Sequence, residues 1–162
     1  MKKLISIFMA IFVLAIPSFS AFAEVKGEPI AYDYYISDEN FEKLEHVDSD
    51  NNSIATYSSG IIVSKTLSLA KDGNNLIIKA STKTIDAKKS GFTYIKVQQY
   101  KNGKWVDYKT FDDLYSDSNR YSVTKSISAE KGYKYRVIAE HYAKKSLFSI
   151  EKIYNETSSL SF

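Results

Sequence analysis

Aromatic rings alternate with hydrogen-bonding side chains on either side of the dipeptide Asn102-Gly103. Successive side chains of a β-strand point to opposite faces, so this alternation would gather the rings of two paired strands on one face. Flat rings flanked by polar groups suit stacking against sugar rings or contact with a protein partner. The candidate binding residues are Tyr94, Tyr100, Trp105, Asp107 and Phe111, with Lys96, Gln98 and Lys109 between them.

Two alternatives to a ligand-binding role are open for this face. Cross-strand ring pairs such as Tyr100–Trp105 stabilise hairpins by about 0.2–1 kcal/mol each without binding anything. An acidic segment near the N-terminus could also cover the rings. The residue pattern therefore indicates either a binding surface or a structural face of a hairpin.

The residues that enzymes use for hydrolysis are scarce in this chain. Hydrolytic enzymes usually require an activated nucleophile, a general base or a metal ion. His46 stands beside Glu45 and Asp48, which is typical of a solvated histidine. His141 falls on the inward side of a predicted strand, which indicates a rim or partly buried structural histidine whose ring is bonded to a neighbour. We therefore predict no catalytic residues and no enzymatic activity.

No group of residues has the spacing of a metal or cofactor site. The chain has no cysteine and two histidines in separate segments, whereas zinc requires three or four convergent ligands. The acidic run from Asp48 begins like a calcium-binding loop, but Ser53 replaces the required glycine and Ser59 the required glutamate. The pair Asp112-Asp113 is typical of a solvated turn. The sequence predicts no metal ion and no cofactor.

The rings are positioned by a predicted β-hairpin from Phe92 to Phe111. Asn-Gly is the dipeptide that best tolerates the positive φ angles of a two-residue type I′ turn. The core-facing side of the hairpin would carry Ile95, Val97, Val106 and Tyr108. The predicted cross-strand pairs are Lys101–Lys104, Tyr100–Trp105, Gln99–Val106, Val97–Tyr108, Ile95–Thr110 and Tyr94–Phe111.

Seven stretches between Gly60 and the C-terminus alternate apolar and polar residues and are separated by turn signals. None of them shows a sustained helical period of apolar residues. Short strands at this spacing are typical of an antiparallel β-sandwich. The predicted strands are 61–69, 76–83, the two strands of the hairpin, 121–127, 133–142 and about 150–160.

The segment Gly132-Tyr-Lys-Tyr135-Arg-Val137 resembles strand F of fibronectin type III and related immunoglobulin-like domains. In those domains a buried tyrosine follows a glycine by three residues, and its hydroxyl bonds the backbone upstream in a tyrosine corner. The resemblance implies that Tyr135 is the structural corner, that the hairpin supplies strands C and C′, and that strand G begins near Ile150. The expected fold is therefore all-β, an immunoglobulin-like antiparallel sandwich of about seven strands. One departure is Trp105, the only tryptophan, which lies opposite the predicted aliphatic face.

A second resemblance rests on motifs in the hairpin and near the C-terminus. The matching residues are Gly103, Lys104, Trp105 and Val106, then Gly132, Tyr133, Tyr135, Arg136, Val137 and His141. With a C-terminal strand rich in Ser and Thr, they resemble a family of small signal-peptide-bearing proteins of Gram-positive bacteria, classed as a domain of unknown function. The resemblance covers Gly60 to Phe162, and the family brings no known catalytic residues.

The first 23 residues have the pattern of a secretory signal peptide. Lys2 and Lys3 form a positive start, Leu4 to Ile16 is apolar, and Ala21-Phe-Ala23 is a cleavage motif. The remaining chain contains no second apolar run of membrane-spanning length. We therefore expect a protein that is secreted or attached to the cell surface, with no transmembrane segment in the mature chain and no nucleic-acid partner.

Charge is distributed unequally along the expected mature chain. Residues 24–60 hold nine acids against two lysines, a net charge of −7, whereas residues 61–162 hold eighteen basic and ten acidic residues, a net charge of +8. We interpret 24–59 as an acidic, partly disordered arm before a sandwich domain of residues 60–162. Within it, residues 32–36 could form a short strand, and Phe41 to Leu44 a helical turn after Ser37. The arm is either mobile or lies on the basic domain and masks it.

These features favour a secreted binding or interaction module without catalytic activity. The charge of residues 61–162 favours an anionic partner, such as a cell-wall polymer, an acidic polysaccharide or a membrane surface. A protein partner would also suit the exposed rings. The alternative function is a secreted bacteriocin-like or toxin-type effector, in which an acidic pro-region neutralises the basic domain until release.

Overall fold

A computed structural model of the chain describes residues 27–49, 53–54 and 60–162. The predicted signal peptide, and most of the calcium-like run that begins at Asp48, lie outside the described residues. The described part contains one helix, α1 (Asp38–Glu42), and eleven strands. These are β1 (Ala31–Asp33), β2 (Glu45–Asp48), β3 (Ser53–Ile54), β4 (Ile62–Asp72), β5 (Asn75–Thr84), β6 (Lys89–Lys101), β7 (Lys104–Ser116), β8 (Arg120–Ser128), β9 (Lys134–Ser146), β10 (Ser149–Glu156) and β11 (Leu160–Ser161).

The strands form two antiparallel sheets that face each other. The back sheet has the order β1-β8-β5-β4-β2, with β3 also paired to β4, and the front sheet has the order β10-β9-β6-β7, with β11 paired to β9. The predicted all-β antiparallel sandwich is confirmed, and its seven predicted strands are β4 to β10. With β6 as strand C and β9 as strand F, the front sheet reads G-F-C-C′, in agreement with the immunoglobulin-like strand assignment.

The core lies between the sheets because each long strand turns one row of apolar side chains inward. Burying such a side chain stabilises the fold by about 1.5–3 kcal/mol relative to leaving it exposed. The wholly buried apolar residues include Leu67 and Leu69 of β4, Leu76 and Ile78 of β5, Ile95 and Val97 of β6, and Val137 of β9.

The hairpin of β6 and β7 has the predicted turn. Asn102 and Gly103 have positive φ angles of 53° and 78°, which a two-residue type I′ turn requires. The predicted pairs Lys101–Lys104, Tyr100–Trp105 and Gln99–Val106 are present. Close to the turn, the register of the hairpin therefore follows from the sequence.

Beyond Asp107 the predicted register is wrong by one residue. A β-bulge inserts Tyr108 as an extra residue of β7 and shifts the partners of β6. The shift brings Phe111 opposite Ile95, and its ring packs against the buried core instead of the outer face. The observed pairs are Val97–Lys109, Ile95–Phe111 and Tyr94–Asp112, in place of the predicted Val97–Tyr108, Ile95–Thr110 and Tyr94–Phe111.

Residues 27–49, expected to be irregular, extend the back sheet at both of its edges. β1 pairs with β8, and β2 pairs with β4. Between these strands Ser37 caps α1, because its hydroxyl accepts a hydrogen bond from the Asn40 amide at 3.3 Å. Phe41 packs against Ala70 and Ile77 in a separate cluster on the outer side of the back sheet. The helix of the arm thus lies on the sheet opposite to the one that bears Trp105.

The acidic side chains of this segment contact lysines of the sandwich. Most of these ion pairs are exposed and are weakened by salt. The strand pairing and the packing of Phe41 therefore contribute more to the stability of the contact between this segment and the sandwich. Ser49 adds a bridge to Thr157, and its hydroxyl donates to the buried side chain of Asn155. The ion pairs are Asp33–Lys125 (2.5 Å), Glu45–Lys71 (2.6 Å), Glu28–Lys109 (3.0 Å) and Asp38–Lys79.

Candidate binding face

The outer side of the front sheet gathers rings and polar side chains from all four of its main strands. Because β6 lies between β7 and β9, Gln98 faces both Asp107 and Arg136. Tyr94 lies opposite Glu140 of β9, which in turn lies opposite Tyr154 of β10. We call this surface the aromatic face and define it by Tyr94, Tyr100, Trp105, Asp107, Arg136 and Tyr154.

Trp105 is held by contacts with two neighbours on the aromatic face. The ring of Tyr100 meets it edge-on, with centres 5.2 Å apart and an interplanar angle of 62°. The guanidinium of Arg136 lies 4.6 Å from the centre of the indole, in a cation–π contact. Arg136 is oriented in turn by Gln98, whose side-chain oxygen accepts from Nε at 3.0 Å, and by Glu156 at 3.5 Å. These contacts give the indole a defined orientation.

Most charged groups of this region are paired with one another. Lys96 Nζ lies 2.8 Å from Oδ2 of Asp107, and the Gln98 amide donates to Oδ1 at 2.9 Å. The hydrogen bond with Lys96 lowers the pKa of Asp107 and raises the pKa of Lys96. Nearby, Lys152 pairs with Glu140 at 2.6 Å. The charges within these pairs cancel, and Lys134, opposite Tyr100 on β9, adds one exposed cation.

Two rings of the aromatic face are open to solvent. Tyr100 is 41% exposed and Tyr154 is 52% exposed, whereas Tyr94 and Trp105 are half-buried. The hydroxyl of Tyr154 donates to Glu156 at 2.7 Å. Exposed rings held by fixed neighbours can receive a flat ligand with little loss of side-chain freedom.

Four of the five predicted binding residues meet on the aromatic face. Tyr94, Tyr100, Trp105 and Asp107 project from β6 and β7 as expected from their alternation. The prediction for Phe111 is wrong, because the bulge turns it inward, where Lys125 of the back sheet lies over its ring at 5.5 Å from the centre.

The sequence interpretation missed Arg136 and Tyr154. They lie on β9 and β10, which adjoin the hairpin only in the folded sheet. A signal for Arg136 was available, since the inward positions of Tyr135 and Val137 place the residue between them on the outer side.

Tyr135 occupies the position implied for a tyrosine corner. Its side chain is wholly buried. Its hydroxyl donates to the carbonyl oxygen of Glu130 and accepts from the amide of the same residue, each at 3.0 Å. Gln99 of β6 donates to the same hydroxyl at 2.7 Å. Tyr135 therefore ties the loop between β8 and β9 to the core.

His141 lies deeper than predicted and is wholly buried. Its Nδ1 lies 2.8 Å from the hydroxyl of Thr82, which donates to the carbonyl oxygen of Gly91 at 3.0 Å. Since the hydroxyl proton is used there, Nδ1 carries the proton and Nε2 is left bare, with no hydrogen-bond partner among the described residues. Burial lowers the pKa of His141 to about 3, so the ring is neutral. Because the ring is wholly buried, a substrate cannot reach it.

The remaining polar groups show no convergent chemistry. His46 lies 3.8 Å from Glu42 and 3.9 Å from Asp48, and its Nδ1 is 3.0 Å from the carbonyl oxygen of Leu44. Within residues 27–49, 53–54 and 60–162, no three acidic or histidine side chains are grouped so as to hold a metal ion. The same residues include no helix with the length and apolar character needed to span a membrane.

A cleft of about 520 Å³ lies on the back sheet beside α1. Its floor is formed mainly by hydroxyl side chains of β4, β5 and β8, among them Thr66, Ser81 and Ser122. Lys79, at the side of the cleft, forms an ion pair with Asp38, and its Nζ lies 5.1 Å from the centre of the Phe41 ring. The cleft therefore has a mixed polar lining, to which the largely buried ring of Phe41 also contributes.

Comparison of the chain with known proteins gave no relative. No family model, no curated protein and no solved structure matches it.

Proposed function

We propose that this protein is a secreted, non-catalytic binding module that acts at or outside the cell surface, and that its aromatic face contacts a polysaccharide of the cell wall. The observation that supports this most is the fixed orientation of Trp105 between Arg136, at 4.6 Å, and Tyr100, at 5.2 Å, on an outer sheet face. The described part of the acidic arm packs its helix, α1, against the outer side of the back sheet and not against the aromatic face.

The chemistry of the aromatic face suits sugar rings. Aromatic rings stack against the apolar faces of sugars, while amide and charged side chains bond their hydroxyls. Gln98 and Asp107 supply such groups next to Trp105. Because Lys96 is paired with Asp107 and Arg136 with Glu156, a neutral or weakly charged polysaccharide fits this face better than a dense polyanion.

A binding role without catalysis is supported by the state of the carboxylate on this face. Asp107 accepts hydrogen bonds from both Lys96 and Gln98, which lower its pKa. A general acid must carry a proton near the working pH, and these bonds oppose that. His46 lies on β2 of the back sheet and the ring of His141 is buried beneath β9, so neither lies on the aromatic face.

Retention on purified cell-wall polysaccharide tests the proposal. Truncating an aromatic residue at the centre of an interface commonly costs more than 1 kcal/mol, so Trp105→Ala should lower retention by about tenfold with an unchanged circular dichroism spectrum. The matched control is Tyr35→Ala, which removes a ring that is 91% exposed and lies outside the aromatic face. Equal retention of wild type and Trp105→Ala would refute the proposed site.

The alternative proposal is a bacteriocin-like or toxin-type effector that is released when the acidic arm is cut off as a pro-region. The ion pairs between the arm and lysines of the sandwich, such as Asp33–Lys125, favour it. The strand pairing of β1 and β2 argues against it, since cleavage near Gly60 would strip both edges of the back sheet. Mass spectrometry of the culture medium decides between them: a mature N-terminus at Glu24 excludes the pro-region, and one near Gly60 supports it.

A further inference from the structure

One end of the sandwich exposes large apolar side chains at the turn between β9 and β10. Phe148 is 99% exposed and Leu147 is 76% exposed. Leu147 and Phe148 form this turn without the positive φ angles that favour Asn and Gly at Asn102-Gly103. The turn geometry does not require large apolar residues, and these two exposed side chains leave apolar surface for a partner.

The loop between β5 and β6 lies beside this turn. The amide of Lys88 donates to the carbonyl oxygen of Lys144 at 2.8 Å, and Lys89 faces Lys144 across the front sheet. Ile85 of the same loop is 56% exposed. We call this end of the sandwich the basic tip and define it by Ile85, Lys88, Lys89, Lys144, Lys145, Leu147 and Phe148.

Positive charge surrounds the exposed apolar residues. The basic tip holds four lysines, and against the neighbouring Asp86 and Glu151 they leave a net charge of +2. Asp86 contacts Lys145 at 3.5 Å, and Glu151 accepts from the amides of Ile61 and Ile62 at 2.5 and 2.7 Å. Throughout the described ranges, no carboxylate pairs with Lys88, Lys89 or Lys144.

We propose that the basic tip docks on an anionic lipid bilayer, with Leu147 and Phe148 inserted at the headgroup boundary and the lysines against the lipid phosphates. Interfacial binding combines a few buried apolar side chains with electrostatic attraction to anionic lipids. The surface area of a two-residue turn is small compared with the roughly 800 Å² that each partner buries in a stable protein interface. A bilayer therefore suits this turn better than a protein partner. Lysine side chains can also extend along the apolar surface to keep their charge at headgroup level. This proposal is independent of the polysaccharide role of the aromatic face.

Vesicle sedimentation tests the docking. We expect the purified chain to co-sediment with vesicles of equimolar phosphatidylglycerol and phosphatidylcholine, and much less with pure phosphatidylcholine. The double variant Leu147→Ser/Phe148→Ser should weaken this partitioning by at least about tenfold. Lys144→Gln/Lys145→Gln should weaken it and flatten its salt dependence. The control Tyr35→Ser removes another highly exposed ring outside the basic tip and should bind like wild type.

Insertion of the turn has its own spectroscopic readout. Because Trp105 is the only tryptophan, the variant Trp105→Phe/Phe148→Trp reports on position 148 alone, and its emission should shift to shorter wavelength on the anionic vesicles. An unshifted emission, or equal binding of wild type and Leu147→Ser/Phe148→Ser, would overturn the proposal, as would failure of wild type to co-sediment. Trp105→Ala should keep vesicle binding, and its loss would place the lipid contact on the aromatic face instead.

Discussion

Arg136 of β9 stacks on the indole of Trp105 of β7, although β6 separates their two strands. The guanidinium reaches across Gln98, which accepts a hydrogen bond from its Nε. Three strands are thereby joined on the outer surface of the front sheet, and the ring most suited to contact a ligand is fixed by a residue distant in sequence.

Arg136→Ala should lower the free energy of unfolding by about 1 kcal/mol, because it removes a cation–π contact and a charged hydrogen bond. It should also make the fluorescence of Trp105 more accessible to a soluble quencher and weaken retention on polysaccharide. Urea unfolding and fluorescence quenching measure these effects. Lys134→Ala removes a neighbouring exposed cation and is the matched control, and equal quenching in the two variants would contradict the role given to Arg136.

Tyr135→Phe should cost about 1–3 kcal/mol of stability, since it leaves the amide and carbonyl of Glu130 and the side chain of Gln99 without their shared partner. Urea denaturation of the variant measures the loss. Tyr100→Phe is the control, because the hydroxyl of Tyr100 makes no hydrogen bond to the described residues and its ring is 41% exposed. A stability loss in the control that matches Tyr135→Phe would count against the corner.

The burial of His141 should make the fold sensitive to acid. Its pKa is lowered to about 3 by burial and by the nearby Lys65, whereas the unfolded chain binds a proton below about pH 6.5. Stability from this group is therefore fully present above about pH 6.5 and falls by a few kcal/mol in total as the pH drops toward 3. The free energy difference between wild type and His141→Gln, measured by urea unfolding, should be constant above pH 6.5 and should decline below it. A difference that is independent of pH would contradict the neutral, buried ring.

Gly91→Ala should prevent stable folding or cost more than about 3 kcal/mol. A Cβ atom at position 91 would lie 1.9 Å from the carbonyl oxygen of Leu114, and the φ angle of 152° is one that L-residues rarely adopt. Thermal unfolding measures the loss. Gly27→Ala is the control, since a Cβ atom at position 27 would have no neighbouring atom within 4 Å and no positive φ is involved. The melting temperature of this control should be that of wild type.

The features of the fold that depend on local sequence were predictable. Alternating side chains define the strands, because the period of two is a property of the extended chain itself. Asn102-Gly103 sets the hairpin turn and the first cross-strand pairs, because only a few residue types tolerate the positive φ angles of this turn. The confirmed sandwich follows from these short, regularly spaced strands.

The register farther from the turn could not be predicted in the same way. A bulge costs one residue of pairing and occurs where twist and packing of the whole sheet favour it. Tyr108 is accommodated there because its ring packs against Tyr135 and its hydroxyl donates to the carbonyl oxygen of Ser128 at 3.0 Å. Both partners are remote in sequence, so the bulge could not be predicted from the local pattern. The inward position of Phe111, which results from the bulge, could not be predicted either.

The pattern of residues was enough to predict the all-β class, the seven main strands, the turn at Asn102-Gly103 and the alternation that puts Trp105 on an outer face. Which strands become neighbours is seen in the tertiary structure. It brought Arg136 and Tyr154 to the aromatic face, placed the loop of Lys88 beside the turn that bears Phe148, and paired residues 27–49 with both edges of the back sheet. The physical reason is that alternation assigns a side chain to one face of a strand, whereas the partners it meets there depend on long-range pairing and on the packing of two sheets.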